Sequence, residues 1–455
     1  MDLYGPLLAK ALFPAFEAMR GRPTIGLLQY LHTTEHWSIE ALRDLQLGLL
    51  RRLLRHAYMH TAYYRDLMDT AELRPEDVSS VEDLARLPLL DRETTRTSAN
   101  ARLSAAPPLV AITKKSSGTT GIPTEVKYNA ESRHWRDATR WRGYGWANYQ
   151  IGMRAMHYWG FGPPATSMTK RAKVAFDRAF KRDLYVDCTP RGDEALAAAV
   201  AQLRAFRPNV IVAYAAGASA LARYVNTNGV RDWQDIPVIV GAERLWPEER
   251  AEITRAFGPA FETYGAREVM LIGAECDQHD GLHTSMETMI VELVVRESDG
   301  KVRAAKPGES GEVVVTDLHN LAAPLIRYVI GDVAVAHEPR PCRCGRSLAK
   351  IGPVEGRVTE TLHDGRGNPV SGLVFNILFA LISPETKQFQ IVQRADRSIV
   401  MRVVLLQGTA LSSKAERALR DWVAKYLPGV AFSTDVVDEI PLTAAGKRKV
   451  VIVES

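Results

Sequence analysis

The chain has 455 residues, 46% of them hydrophobic and 24% charged, an ordinary globular balance with length enough for two or three domains and a large core. No stretch approaches about 18 uninterrupted apolar residues, which excludes a membrane-spanning helix. The formal net charge of +5 and pI of 8.9 suit anionic ligands without requiring nucleic acid.

Near the start, Asp2, Lys10, Glu17 and Arg20 lack the charge order of a signal peptide, so a cytoplasmic location is expected. Phe13, Phe16 and Met19 beside Arg20 and Arg22 read as a helix packed on its own domain, with contact to a bilayer surface as the alternative. Ser38 is placed to cap a helix in which Ile39, Leu42, Leu45, Leu49 and Leu53 recur at helical spacing, predicting an amphipathic helix over 38 to about 60. From about 108 to 335, β-branched runs such as Val210-Ile211-Val212, Val238-Ile239-Val240 and Val313-Val314-Val315 alternate with helical segments at 193–206 and 216–227, an α/β pattern. Lys170, Arg171, Lys173, Arg178, Lys181 and Arg182 form a basic run that reads as a solvated face. After Gly356-Arg357 the pattern predicts a helix around 371–382, strands near 388–394 and 399–406, a helix around 412–426 and a last strand near 448–453. The expected organisation is therefore a large α/β domain over 1–356 and a small α+β domain over 357–455.

Chemistry is densest between Lys115 and Thr124. Gly118 and Gly121 allow the backbone to turn sharply toward an anion, and Ser116, Ser117, Thr119 and Thr120 supply hydroxyl donors, which together read as a phosphate cradle. A P-loop would place lysine where Ile122 and Pro123 stand, so that motif is excluded. The cradle resembles the phosphate loop of the acyl-adenylate-forming enzymes, and four later segments repeat the likeness in the family's order: Thr263-Tyr264-Gly265-Ala266-Arg267-Glu268, Gly308-Glu309-Ser310-Gly311-Glu312, Arg327-Tyr328-Val329-Ile330-Gly331-Asp332 and Pro441-Leu442-Thr443-Ala444-Ala445-Gly446-Lys447. Five motifs in order are specific where one would not be. Trp37-Ser38, Tyr63-Tyr64-Arg65, Gly241-Ala242-Glu243 and Cys342-Arg343-Cys344-Gly345-Arg346 are similar to the phenylacetate-CoA ligase branch and its CapK-like relatives.

The resemblance implies a large adenylate-forming domain, a small mobile C-terminal domain, and ATP, Mg²⁺ and CoA as reactants or cofactors. It assigns Ser116, Ser117, Gly118, Thr119, Thr120 and Gly121 to the phosphates, Glu268 to Mg²⁺, and Asp332 with Arg327 nearby to the ribose. Tyr264 falls to the adenine, Gly265, Gly241, Ala242, Glu243 and Arg357 to ATP without a named part of it, and Lys447 to the α-phosphate and the substrate carboxylate. The acid pocket is expected from segments at 157–162, 214–218 and 240–242. Three departures stand out: Ile122 replaces a lysine, Arg267 a threonine, and Gly356-Arg357-Val358-Thr359-Glu360 lacks the family's hinge aspartates.

The four cysteines are Cys188, Cys276, Cys342 and Cys344, too few for a disulfide framework. Cys276, Cys342 and Cys344 with His283, in preference to His279, can make a closed tetrahedral Zn²⁺ site of structural type. The leading expectation is thus an ATP-dependent ligase that adenylates an aryl or related carboxylic acid and passes the acyl group to CoA. Transfer to an amine or hydroxyl in surface-polysaccharide synthesis is the second, and a zinc-containing nucleic-acid-binding protein the alternative from another class.

Overall fold

The computed structural model describes residues 2–106, 112–115, 125–160, 167–188, 192–297, 299–357, 361–367, 369–371, 385–406, 409–441 and 449–454. Among them, twelve strands form one sheet. Its parallel half runs, from the edge inward, Asp183–Asp187, Ala155–Trp159, Val210–Tyr214, Val238–Gly241 and Ala260–Ala266. The antiparallel half continues with Met270–Glu275, Leu282–Thr284, Lys350–Arg357, Tyr328–Ala336, Ser310–Asp317, Met289–Arg296 and Val302–Ala304.

Every residue of Val210–Tyr214 and Val238–Gly241 is buried, as expected for strands covered on both faces. Leu196, Leu203, Leu221, Val225 and Ile253, from the helices Asp193–Phe206, Ala215–Asn228 and Pro247–Ala256, fill the core on one face. Trp141 and Tyr144 of the helix Ala130–Gly145 pack with Val212 and Ile239 on the other. In the order of strands, Ala155–Trp159 lies between its successor Asp183–Asp187 and the later Val210–Tyr214. The winding reverses there, and in an open α/β sheet the space beyond the carboxyl ends of the strands at such a reversal is the usual ligand crevice.

The predicted helix begins where Ser38 implies: its Oγ accepts from the Ala41 amide at 3.2 Å and the helix runs Ile39–His60. Leu50, Leu53 and Leu54 are fully buried against Ile290, Leu318 and Ile326, so this helix closes one side of the antiparallel half. C-terminally, Phe432–Val436, Ile399–Leu405, Thr386–Gln393 and Val451–Val453 make a separate four-stranded sheet. The helix Ser413–Tyr426, capped by Ser412, contributes Leu419 and Val423 to its core, and Trp246 joins that core from the large sheet's side. The helix predicted around 371–382 falls almost wholly outside the described residues.

Three distant parts of the chain meet at one buried ion pair. Arg142 and Glu287 are both fully buried and bidentate, Nη1 to Oε1 at 2.6 Å and Nη2 to Oε2 at 3.0 Å. Thr34 Oγ1 donates to the same carboxylate at 2.6 Å, and Arg142 Nη1 also reaches the Leu31 carbonyl at 3.2 Å. Removing one partner of such a pair strands a buried charge at a cost of about 3–5 kcal/mol. Arg142→Ala is therefore expected to lower unfolding stability by about that much in urea titrations, and Arg142→Met/Glu287→Met to recover a large part. A loss below about 1 kcal/mol for the single variant, the ceiling for an exposed pair, would show that the pair does not tie these segments.

Candidate functional site

Two aromatic rings and a glycine stand at the strand ends beside the reversal. Trp159 and Tyr214, the last residues of two neighbouring parallel strands, lie with ring centroids 4.1 Å apart. Gly241 ends the next strand, and a Cβ there would meet Thr263 Oγ1 at 2.8 Å and approach the Trp159 ring at 4.0 Å, so the close packing at this point requires glycine. Ala242 follows with φ +68°, uncommon for a residue with a side chain. Glu243 turns back, its Oε2 accepting from the Ala216 amide at 3.0 Å, in the first turn of the helix Ala215–Asn228, where unpaired amides favour an anion. Burial first, then Cys188 and Glu243, push the Tyr214 hydroxyl's pKa up, while Arg267 opposes the rise. Glu243 and the exposed Arg267 are thus both close to the crevice.

The motif residues converge one strand further on. Tyr264 lies on Ala260–Ala266, the strand that pairs parallel on one side and antiparallel on the other. Its hydroxyl donates to Asp332 Oδ2 at 2.9 Å, joining two motifs 68 residues apart. At Gly265 the strand bulges, and a Cβ would run into the Met270 carbonyl oxygen. Glu268, 5% exposed, accepts from the Tyr328 hydroxyl at 3.4 Å, and burial raises the pKa of that hydroxyl, which keeps it a donor. A residue the motifs do not contain completes the group. Arg92 Nη2 donates to the Ile330 carbonyl at 2.8 Å, lies 3.6 Å from where a Cβ on Gly331 would stand, and interacts with Tyr328. Its Nε is buried without a partner among the described residues. The sequence signal for it is slight: the Asp91 cap of the short helix Arg92–Thr97 fixes where the arginine begins but not what it faces.

Arg327 is placed differently from its assignment beside Asp332. Its backbone is left-handed, φ +52°, and its buried guanidinium is committed to Glu292 at 2.9 and 3.2 Å and to the Leu87 carbonyl at 2.6 Å. It fastens the segment before Arg92 to the sheet. Arg357 pairs with Asp332 in strand register, although its side chain lies outside what is described. Ser116, Ser117, Gly118, Thr119, Thr120, Gly121, Ile122 and Lys447 all lie outside the described residues.

A second cluster sits at the other end of the strand Met270–Glu275. The ligand atoms of Cys276, His283, Cys342 and Cys344 lie within 4.8 Å of one another, with Cys276 Sγ 3.7 Å from Cys342 Sγ and Cys344 Sγ 3.4 Å from His283 Nε2. His283 Nδ1 donates to the Leu348 carbonyl at 3.2 Å if Nε2 is to face the thiols as a lone pair, and this second bond is the one that orients a ligating imidazole. Burial drops the His283 pKa to about 4, the neutral form a metal needs. Donor set, spacing and outer hydrogen bond all fit a closed Zn²⁺ site. His279 lies apart from the cluster, 3.1 Å from Glu275 Oε2. Six strand residues separate Glu268 from Cys276 by roughly 20 Å at 3.4 Å per residue, so the cluster is remote from the motif group. It is instead clamped to the N-terminal helices: Glu35 Oε1 binds Arg346 at 3.1 Å, its Oε2 accepts from Trp146 Nε1 at 3.1 Å, and its carbonyl accepts from the Ser347 amide at 3.1 Å.

No family model matches the chain. Phenylacetate-coenzyme A ligase of Thermus thermophilus is 28% identical over 370 residues, covering 79% of this chain and 80% of that protein. Protein CapK of Staphylococcus aureus is 22% identical over 288 residues, 62% of each. Among solved structures, 2-hydroxyisobutyryl-CoA ligase in the postadenylation state superposes with a TM-score of 0.71 at 18% identity, over 92% of this chain and 90% of that one. Likeness in sequence over four-fifths of the chain and in fold over nearly all of it agree with the motifs, and together they support the acyl-adenylate-forming superfamily and, within it, the phenylacetate-CoA ligase branch.

Proposed function

We propose that the protein is an AMP-forming ligase that activates a carboxylic acid with ATP and passes the acyl group to the thiol of CoA. The observation that supports this reading most is the Tyr264–Asp332 hydrogen bond, which joins two of the family-like motifs on the strand next to the one that ends in Gly241. In the first half-reaction a substrate carboxylate oxygen bonds to the α-phosphorus as the bond to pyrophosphate breaks; in the second, the thiol sulfur bonds to the acyl carbon and AMP leaves. Negative charge grows on phosphate oxygens in the first step and must be met by fixed donors and cations. Ser116, Ser117, Thr119 and Thr120 are assigned to the departing phosphates, Asp332 to the ribose hydroxyls, Glu268 to the holding of Mg²⁺, and Lys447 to the α-phosphate. Mg²⁺, when bound, neutralises phosphate charge. Residues 357–455 are taken as the moving part that brings Lys447 in. The gap left by lysine at Ile122 is one that Arg92 or Arg267 can fill, both being near the motif residues. The reading fits a cytoplasmic location. The CapK likeness favours one second reading, transfer to an amine or hydroxyl acceptor, which turnover with CoA omitted would reveal.

Lys447→Ala is expected to lower acid-dependent pyrophosphate exchange by about 10²–10³-fold or more, the range for losing a donor to developing charge, with ATP binding by calorimetry nearly unchanged. Exchange at the parental rate in a folded variant would remove Lys447 from the chemistry.

For Glu268→Gln, the Mg²⁺ concentration giving half-maximal turnover should rise, because one anionic oxygen is lost to a hard cation. An unshifted Mg²⁺ titration would mean that Glu268 is no ligand.

The cysteine cluster is proposed to hold one structural Zn²⁺. Metal analysis should find about one Zn²⁺ per chain, and Cys344→Ser should lose the metal and thermal stability together. Purified protein that is stable and metal-free would exclude the site.

A further inference from the structure

The helix Met168–Lys181 has no buried residue. On a 3.6-residue repeat, Met168, Ala172, Ala175, Phe176 and Ala179 share one side, and Lys170, Lys173 and Lys181 share the opposite one. An amphipathic surface helix turns such an apolar side to the core. Here all five apolar residues are solvent-exposed, Met168 at 78% and Phe176 at 64%. The N-terminal segment beside it repeats the anomaly, with Leu3 74%, Leu7 51% and Met19 85% exposed. The two segments are joined: Tyr4 Oη donates to the Phe180 carbonyl at 3.1 Å, the Phe16 and Phe180 rings are 4.8 Å apart, and Arg182 Nη1 pairs with Asp2 at 2.7 Å.

Charge completes the pattern. Residues 2–22 and 168–182 carry nine lysines and arginines against three carboxylates, a net +6. The whole chain nets +5, so everything outside these two segments nets −1. The chain's net positive charge thus resides in two segments that also leave Leu3, Leu7, Met19, Met168 and Phe176 in water.

We propose that these two segments form a docking face for an anionic lipid bilayer, with Leu3, Leu7, Met168 and Phe176 entering the interfacial zone and the flanking cations meeting the headgroup charge. Exposed apolar side chains on one side of a helix and lysines on the other are what an interfacial helix requires, and basic residues near an anionic leaflet add attraction that salt weakens. Nucleic acid would use the cations but leave Met168 and Phe176 without a role, and a second copy of this chain would bring two +6 faces together.

The test is cosedimentation of the full-length protein with vesicles of phosphatidylcholine alone and of phosphatidylcholine mixed with phosphatidylglycerol. Binding is expected to the mixed vesicles, weaker by about tenfold or more on neutral ones and falling as salt is raised. Each cation near an anionic surface contributes roughly a fivefold factor, so Lys170→Glu/Lys173→Glu should weaken binding by well over tenfold. Met168→Glu/Phe176→Glu should abolish it while keeping the parental melting temperature and pyrophosphate exchange. Leu3→Glu/Leu7→Glu repeats the test on the other segment. The proposal is overturned if the protein ignores both kinds of vesicle, or if both apolar double variants bind as tightly as the parent. It is equally overturned if sedimentation velocity shows a parental dimer that Met168→Glu/Phe176→Glu turns into monomer.

Discussion

The fully buried pair of Arg142 and Glu287 holds the architecture around it in one register. Glu287 stands in the turn between the strand that bears His283 and the strand Met289–Arg296, Arg142 on the helix that covers the parallel half, and Thr34 at the end of an N-terminal helix. Desolvating two charges is unfavourable unless their remaining hydrogen-bonding capacity is met. Thr34, the Leu31 carbonyl and Glu35, 3.9 Å from Arg142 Nε, meet most of it. Few other arrangements of these three segments would satisfy that pair, so it fixes where the N-terminal helices sit, and through Glu35 and Arg346 where the cysteine cluster sits as well.

From that frame the catalytic geography follows. The strand Ala260–Ala266 is the seam between two kinds of sheet, and the parallel side delivers the carboxyl ends of four strands while the antiparallel side delivers long strands that return Tyr328 and Asp332 to the same edge. The register shifts at Gly265 on the seam, and again between Glu312 and Val314 inside the antiparallel half. Tyr264 is where the halves touch chemically, its ring in the antiparallel core and its hydroxyl on Asp332.

How much of this the chain declares in advance depends on how local the cause is. The helix after Ser38 and the strands at Val210, Val238 and Val313 were legible because a cap and a period lie within a few residues of each other. Tyr264, Glu268 and Asp332 are marked only by ordered motifs, and nothing local in the sequence separates His283 from His279. Arg92, by contrast, carries no motif, and its placement depends on the bridge of Leu90 to Tyr328, over two hundred residues away in sequence. The commitment of Arg327 to Glu292 was invisible for the same reason: a left-handed backbone at a non-glycine position is a tertiary outcome. The basic run at 170–182 read as a solvated face, which its lysines are; that the apolar side of the same helix is also uncovered is a property of the packing.

The cysteine cluster has a bearing on the unfolded chain. Cys276 and Cys342 are 66 residues apart, and the loop between them contains the strands Met289–Arg296, Val302–Ala304, Ser310–Asp317 and Tyr328–Ala336, the whole meander that presents Asp332. A metal bridging its ends would, if it also held the denatured chain, remove closure entropy as a disulfide would, on the order of 4 kcal/mol for a loop of this length. Long-range antiparallel pairing is slow to form because that entropy must be lost before the strands reward it. A metal loaded early would turn the meander into a pre-closed hairpin stack, a cross-link that reductants leave intact and chelators open.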